Sequence, residues 1–216
     1  MKARRRVNRI AGTVLACVAV VSVATGCASA PSAGAAATLG SREISNDIVT
    51  TQVNQVLDER GTGAGAPDAA LVADVLQRLV ITEIVDEGAV RNGVVVTQGQ
   101  IDQAIAQAVA QLGGQDQLHK AFLDSNVPVE AIPNQFRLSL QVDGLGALLA
   151  PNAEDQARQE AVFRYAVDLG KELDTRVSPR YGTWVADELQ IGPVPTDLST
   201  PQAPQAEGLT DLVPSG

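Results

Sequence analysis

A strong helix-start signal lies in residues 94–105, which read Val-Val-Val-Thr-Gln-Gly-Gln-Ile-Asp-Gln-Ala-Ile. The side chain of Thr97 can accept a hydrogen bond from the backbone of Gln100, and the Gln100 side chain can reach back to the backbone of Thr97, as in a capping box. We therefore predict a helix that begins after Thr97 and ends at Gly113-Gly114. Its predicted apolar face consists of Ile101, Ile105, Ala108, Val109 and Leu112. The three valines before it predict a short β-like link.

The chain before this segment predicts two short strands and two helices. Short extended pieces flank Gly40, Ser45 can cap a helix that stops at Gly61, and residues 61–66 form a predicted Gly-rich loop. A longer helix is predicted from Asp68 to about Asn92. Its apolar residues repeat every four positions in more than one register: Leu71, Val75 and Leu79; Val72, Leu76, Val80 and Ile84; Ile81 and Val85. So wide an apolar face predicts packing on more than one neighbour.

Three more helices are predicted after residue 114, at 115–124, 129–149 and 153–173, with Pro133 tolerated near the start of the second. A final extended piece is predicted at 175–185. The fold class is therefore mainly α, with about six helices, short β segments near both ends, and none of the strand–helix alternation of α/β folds. Residues 193–216 contain five prolines and little periodicity, which predicts a disordered tail.

The order of these elements resembles the N-terminal domain of SurA-type periplasmic chaperones over residues 37–185. That family typically reads V-x-V-T-x-x-[EQ]-I-D-x-x-I at the start of the helix, and residues 94–105 match this pattern. Similar segments follow at Gln115–Leu123, Gln135–Leu138 and Ser178–Trp184, while Gly99 and Pro128 depart from the usual residues. The resemblance implies a helical domain at 37–192 whose apolar inner surface contacts extended, incompletely folded polypeptides.

Many members of that family carry a parvulin prolyl isomerase between the last two helical segments. Here only Pro151 and Asn152 are predicted to separate those helices, whereas an inserted domain needs about 50 residues or more. Parvulin sites also use histidines, and His119 is the only histidine in the chain. We therefore expect no isomerase activity.

The first 26 residues predict an export signal, because a basic stretch without acidic residues precedes an apolar run from Ile10 to Ala24. At about 1.5 Å per residue this run spans about 22 Å, which is short of the roughly 30 Å hydrocarbon core of a bilayer. Residues 23–29, Val-Ala-Thr-Gly-Cys-Ala-Ser, resemble the lipobox of bacterial lipoproteins. The resemblance implies cleavage between Gly26 and Cys27 and a diacylglyceryl group on Cys27. An ordinary signal peptide cleaved near residue 30 is the alternative.

Lipidation at Cys27 would anchor the chain at the extracytoplasmic face of the cell membrane, since two acyl chains hold a protein stably. Cys17 would be discarded with the signal, so the mature chain could form no intramolecular disulfide. It would carry 11 basic and 25 acidic residues, a net charge of −14. So acidic a surface repels phosphates and argues against nucleic-acid binding. Residues 28–36 are small and uncharged, which predicts a flexible tether.

Few residues are candidates for chemistry. His119 has no Cys, second His or paired carboxylates at ligand spacing, so a partly exposed helix histidine is favoured over a zinc ligand or general base. Asp86-Glu87 and Glu154-Asp155 are interpreted as solvated faces or first-turn acids. Gly61–Gly65 lacks the Lys-Ser/Thr of a phosphate loop, and no serine lies in a nucleophile elbow. We therefore predict a non-enzyme without metal, cofactor or small-molecule ligand.

Tyr181 and Trp184 are candidates for partner contact, although core packing of Trp184 is favoured. The leading functional hypothesis is a cell-envelope lipoprotein with a chaperone-like module that binds unfolded or exported polypeptides, through residues that the sequence does not identify. The alternative is an envelope adaptor that docks one dedicated protein partner. A third hypothesis, a hydrolase or ligand-carrying lipoprotein, requires a deep pocket with convergent polar groups.

Overall fold

The structure, a computed structural model, describes residues 34–63 and 68–195. This part of the chain contains six α-helices: α1 (Asn46–Glu59), α2 (Ala69–Arg91), α3 (Gln98–Leu112), α4 (Gln115–Asp124), α5 (Ile132–Leu149) and α6 (Asp155–Glu172). Five short strands accompany them: β1 (Ala35–Leu39), β2 (Arg42–Ser45), β3 (Arg176–Val177), β4 (Thr183–Val185) and β5 (Gln190–Gly192). The mainly α prediction of six helices with β segments near both ends is confirmed.

The predicted capping box is present at the start of α3. Thr97 Oγ1 accepts a hydrogen bond from the Gln100 backbone N at 3.4 Å, and the Thr97 backbone N donates to Gln100 Oε1 at 2.8 Å. Ser45 caps α1 in the same way by accepting from the Ile48 backbone N at 3.3 Å. Gly113 ends α3 with φ +89°, a left-handed conformation that a glycine adopts without a Cβ clash. Local sequence therefore sets these helix ends.

Strand β1 lies at the centre of an antiparallel sheet with the order β2-β1-β3. Ala35 and Ala36 are fully buried within it, so the prediction of a flexible tether reaching residue 36 is wrong at that end. Small apolar residues are compatible both with a linker and with a closely packed strand. Here the pairing of β1 with β2 and β3 makes residues 35 and 36 part of a strand. Of the predicted tail, Pro193–Pro195 are described and lie outside helix and strand, while residues 196–216 lie outside the described part of the chain.

Four further details differ from the expectations. Residues 94–96 form no strand: Val95 is 79% exposed, and the segment pairs with no strand of the described chain. A short 3-10 turn at Val129–Ala131 precedes α5, which begins at Ile132 with Pro133 in its first turn. Between α5 and α6 lie the five residues 150–154. Beyond the expected extended piece, β5 pairs antiparallel with β4 to complete a hairpin.

The main core lies between the three-stranded sheet, α1, α2 and α6, and its residues are aliphatic or alanine. A smaller apolar cluster joins α2, α5 and α6 through Val85, Leu138, Leu145 and Val162. Close helix contact there depends on Gly88, where a Cβ atom would lie 2.9 Å from Tyr165 Cε1 on α6. By contrast, Ile101 is the one buried residue of α3. The sheet therefore covers much of the main core, and α3 contributes little buried surface.

Candidate functional site

An apolar cleft of about 270 Å³ opens between α2, α5, α6 and the turn that precedes β5. Its walls are aliphatic or aromatic, and amides and one carboxylate stand among them: Ile81, Val85, Val142, Val162, Phe163, Ala166 and Leu189, with Gln77, Gln159, Glu188 and Gln190. An apolar interior with a few polar groups is the usual character of a binding site in a protein.

Helix α2 supplies one wall of the cleft through residues spaced four apart, which lie on one face of a helix. The open face consists of Gln77 and Ile81, which are partly exposed, while Val85 on the same stripe is buried at the base of the cleft. The neighbouring stripe of α2, Leu76, Val80 and Ile84, is fully buried in the main core. The wide apolar surface predicted for this helix therefore serves two different environments.

The β4–β5 hairpin forms another wall and is attached to α2. Gln77 Oε1 accepts a hydrogen bond from the Ile191 backbone N at 3.1 Å. Leu189 has φ +51°, an uncommon conformation for a residue with a side chain, and this turn places its buried side chain against the cleft. The cleft thus depends on the hairpin that the sequence did not predict.

Phe163 lies in the wall of the cleft and remains 45% exposed. The chain contains only three phenylalanines, two tyrosines and one tryptophan, so a half-exposed ring is an uncommon feature on this surface. Covering the exposed part of a phenylalanine ring is favourable by about 1 kcal/mol, roughly half the value for complete burial. The cleft therefore offers a partner apolar surface that the fold leaves uncovered.

A second, charged depression of about 310 Å³ adjoins the apolar cleft and shares Val142 and Gln159 with it. Its remaining lining residues are Asp143, Gly146, Asp155 and Arg158. Arg158 Nη1 lies 3.7 Å from Asp155 Oδ1, and the Asp155 side chain is 94% exposed. Solvent screens charges that are so exposed. The depression is therefore better suited to contact with a polar polypeptide than to catalysis.

His119 lies half-buried on α4, and its Nε2 is 3.0 Å from Gln115 Nε2. The interpretation as a partly exposed helix histidine agrees with this placement. Within residues 34–63 and 68–195, no three His, Cys, Asp or Glu side chains come together in a group that could hold a metal ion.

The interpretation of Asp86-Glu87 as a solvated face is wrong. Asp86 Oδ2 accepts from Arg137 Nη2 of α5 at 3.3 Å. The Glu87 carboxylate accepts from Arg91 Nε at 2.8 Å and from Arg42 Nη2 of β2 at 2.7 Å, and Arg91 also donates to Glu172 of α6. The hydrogen bond from Arg91, assisted by the charges of Arg42 and Arg91, lowers the pKa of Glu87 against the opposing effect of desolvation. These carboxylates connect helices and sheet.

The other acidic pair, Glu154-Asp155, lies at the cap and first turn of α6, as expected of first-turn acids. Tyr181 and Trp184 are partly buried and pack against the main core, and Tyr181 Oη donates to Asn46 Oδ1 at 2.8 Å. Core packing of Trp184 is therefore confirmed. Neither residue belongs to the cleft.

Gly26 and Cys27, the predicted cleavage and lipidation residues, lie outside the described residues. In the part of the chain that the structure does describe, the helices are all too short or too polar to cross a membrane.

Sequence reasoning missed Phe163 and Leu189. Phe163 lies beside the apolar stripe of α6 formed by Val162, Ala166 and Leu169. Phe163 is an aromatic residue that does not belong to the buried stripe of α6. This position outside the stripe was the signal that could have identified it as exposed. The position of Leu189 depends on the hairpin turn and had no such signal.

A comparison with protein families matches residues 1–127 to the SurA-like N-terminal domain. This match covers more than half of the chain. The chain belongs to the SurA-like N-terminal domain family. A search of curated proteins found no match, and neither did a search of solved structures.

The SurA-like match ends before α5. The α2 wall of the cleft therefore lies inside the matched segment, whereas α5, α6 and the hairpin follow it. Family membership supports the fold and a chaperone-like character, and the cleft combines the matched segment with the elements that follow it.

Proposed function

We propose that this protein is a chaperone-like module of the cell envelope that binds extended apolar segments of unfolded or exported polypeptides in the cleft between α2, α5 and α6. One observation carries the proposal: an apolar cleft of about 270 Å³ with a half-exposed Phe163 in its wall. An empty apolar cavity of about 150 Å³ accepts a benzene ring, so this cleft has room for one or two side chains of a client.

Membership in the SurA-like family supports a binding role. The charged depression beside the cleft supports it further, because an extended client has a polar backbone that must remain hydrated or hydrogen-bonded next to its buried side chains. The proposed activity requires no chemistry on the client. With five residues between α5 and α6, the proposal includes no isomerase activity.

The proposal is tested by the aggregation of a reduced, unfolding client in the presence of residues 28–216. We expect suppression at a few-fold molar excess, and Phe163→Ser should lower client affinity about fivefold to tenfold, corresponding to about 1 kcal/mol. Ile48→Ser is the matched control, because Ile48 is 47% exposed but lies on α1 outside the cleft. Equal loss in the two variants, or no suppression by the unaltered chain, would refute client binding in the cleft.

Crosslinking in cells separates this role from that of an adaptor with one dedicated partner. A photocrosslinker placed at Gln159, on the exposed rim of the cleft, should capture many different exported polypeptides. Capture of a single partner would replace the chaperone role with the adaptor role, although the same cleft would be the docking site.

We further propose that a diacylglyceryl group on Cys27 holds the module at the extracytoplasmic face of the membrane. The basic and apolar N-terminal segments and the residues before Cys27 support this anchor. In cells, Cys27→Ala should release an unlipidated protein or leave an uncleaved precursor. Normal cleavage and membrane attachment of that variant would contradict lipidation at Cys27.

A further inference from the structure

The chain leaves the described part of the structure beside the apolar cleft. Leu189 and Gln190 line the cleft, β5 ends at Gly192, and Pro195 is the last described residue. The residues that follow Pro195 therefore start within a few residues of the cleft wall.

The sequence beyond this point carries one concentrated apolar segment. Residues 209–213 read Leu-Thr-Asp-Leu-Val, with three large aliphatic side chains in five positions. The preceding residues, 196–208, consist of small, polar or acidic residues and prolines apart from Leu198. Such a composition is typical of a linker.

We propose that residues 209–213 bind in the cleft of their own chain and compete there with client polypeptides. The competition rests on the proposed chaperone function, whereas the contact itself does not depend on it. In this arrangement the cleft is occupied by the chain's own segment until a stronger apolar segment displaces it.

Length and volume both permit this contact. Fourteen residue steps separate Pro195 from Leu209, and a chain of that length reaches at most about 50 Å. A short linker holds a segment at an effective concentration in roughly the millimolar range, so a site with a dissociation constant below about a millimolar is mostly occupied. The cleft volume of about 270 Å³ is larger than the roughly 150 Å³ of an apolar cavity that accepts benzene.

Apolar contact supplies the attraction in this account. Glu188 is the one charged residue in the cleft wall, and the adjoining depression combines Arg158 with Asp143 and Asp155. Asp211 therefore meets a mixed set of charges. The aliphatic residues Leu209, Leu212 and Val213 are the anchors that the proposal requires.

A disulfide experiment tests the contact directly, because residues 28–216 contain no cysteine. One variant carries Gln159→Cys on the cleft rim and Thr210→Cys in the tail segment. The matched control carries Thr50→Cys, on an exposed position of α1, together with Thr210→Cys. We expect the first pair to close at least about tenfold faster than the control pair, as tethered contact predicts.

Replacing Leu209, Leu212 and Val213 with serine in the first pair should lower its closure rate to that of the control. Equal rates for the two cysteine pairs, or a rate that the serine replacements leave unchanged, would overturn the proposal.

Client competition is measured with reduced, carboxymethylated lysozyme as the probe. The triple-serine tail should bind it about threefold to tenfold more tightly, because the fraction of molecules with a free cleft increases. Equal affinity would refute competition. If the disulfide forms rapidly but neither chain binds the probe, the tail contact stands and the client-binding function fails. If the probe binds but the two cysteine pairs form disulfides at equal rates, the client-binding function stands and the tail contact fails.

Discussion

Two neighbouring stripes of α2 differ in their exposure to solvent. The closed face, Leu76, Val80 and Ile84, lies against the sheet and α6 and is completely buried. The open face, Gln77 and Ile81, lines a cleft whose far side includes the half-exposed Phe163. The same helix thus supports stability on one side and an accessible apolar surface on the other. The comparison teaches that a wide apolar helix face indicates burial and binding together, and only the neighbouring elements separate the two.

The largest expected effect comes from the closed face. Leu76→Ala removes a fully buried side chain and leaves a cavity, so the free energy of unfolding should fall by about 2–5 kcal/mol. Urea denaturation measures this change. Ile81→Ala, on the partly open face, is the matched comparison and should cost clearly less. Equal losses would show that the two faces of α2 are packed alike.

A smaller loss is expected from Gly88→Ala, which tests the contact between α2 and α6. The added methyl group would lie 2.9 Å from Tyr165 Cε1 and 3.4 Å from Leu169 Cδ2, so the Tyr165 ring or the helices must shift, at a cost of about 1–3 kcal/mol. Gly99→Ala on α3 meets nothing within 4 Å and should stabilise the protein by up to about 1 kcal/mol, because alanine is the better helix former. Thermal unfolding measures both variants. An unchanged melting temperature for Gly88→Ala would contradict the close contact between α2 and α6.

Glu87→Gln should have a still smaller effect, about 1 kcal/mol or less at pH 7, since the ion pairs are partly exposed. The folded-state pKa of Glu87 is lowered from its ordinary value of 4.5. Its contribution is therefore present above that value and is lost as the pH falls through the lowered pKa. Unfolding curves of the variant and the unaltered chain should differ at pH 7 and converge in acid. A gap that persists below the lowered pKa would assign the effect to packing.

A comparably small effect on stability is expected from Phe163→Ser on the open side. The half of the ring that is already buried is worth about 1 kcal/mol by the same area argument, so the free energy of unfolding should fall by about that amount. Ile48→Ser should behave alike in the same denaturation experiment. A fall of several kcal/mol in the free energy of unfolding would mean that Phe163 is part of the core. The ring would then not be available to bind a client in the cleft.

Much of the fold was predictable because its signals are local. Thr97 with Gln100 and Ser45 mark helix starts through side-chain caps, and Gly113 marks an end through its left-handed backbone. Strand predictions failed where the pairing partners decide the outcome. The alanines at 35 and 36 lie in a central strand, while the valines at 94–96 pair with no strand of the described residues. The cleft was not predictable, since it depends on a hairpin turn at Leu189 and on residues far apart in sequence.

Methyl NMR of the chain from residue 28 onward, titrated with an unfolded apolar client, tests the central claim most directly. Methyl resonances of Ile81, Val85, Val142 and Val162 in the cleft should shift on binding, whereas those of Val49, Val53 and Val56 in the closed core should remain in place. Shifts confined to another surface, or none at saturating client, would contradict the proposal that the cleft is the binding site.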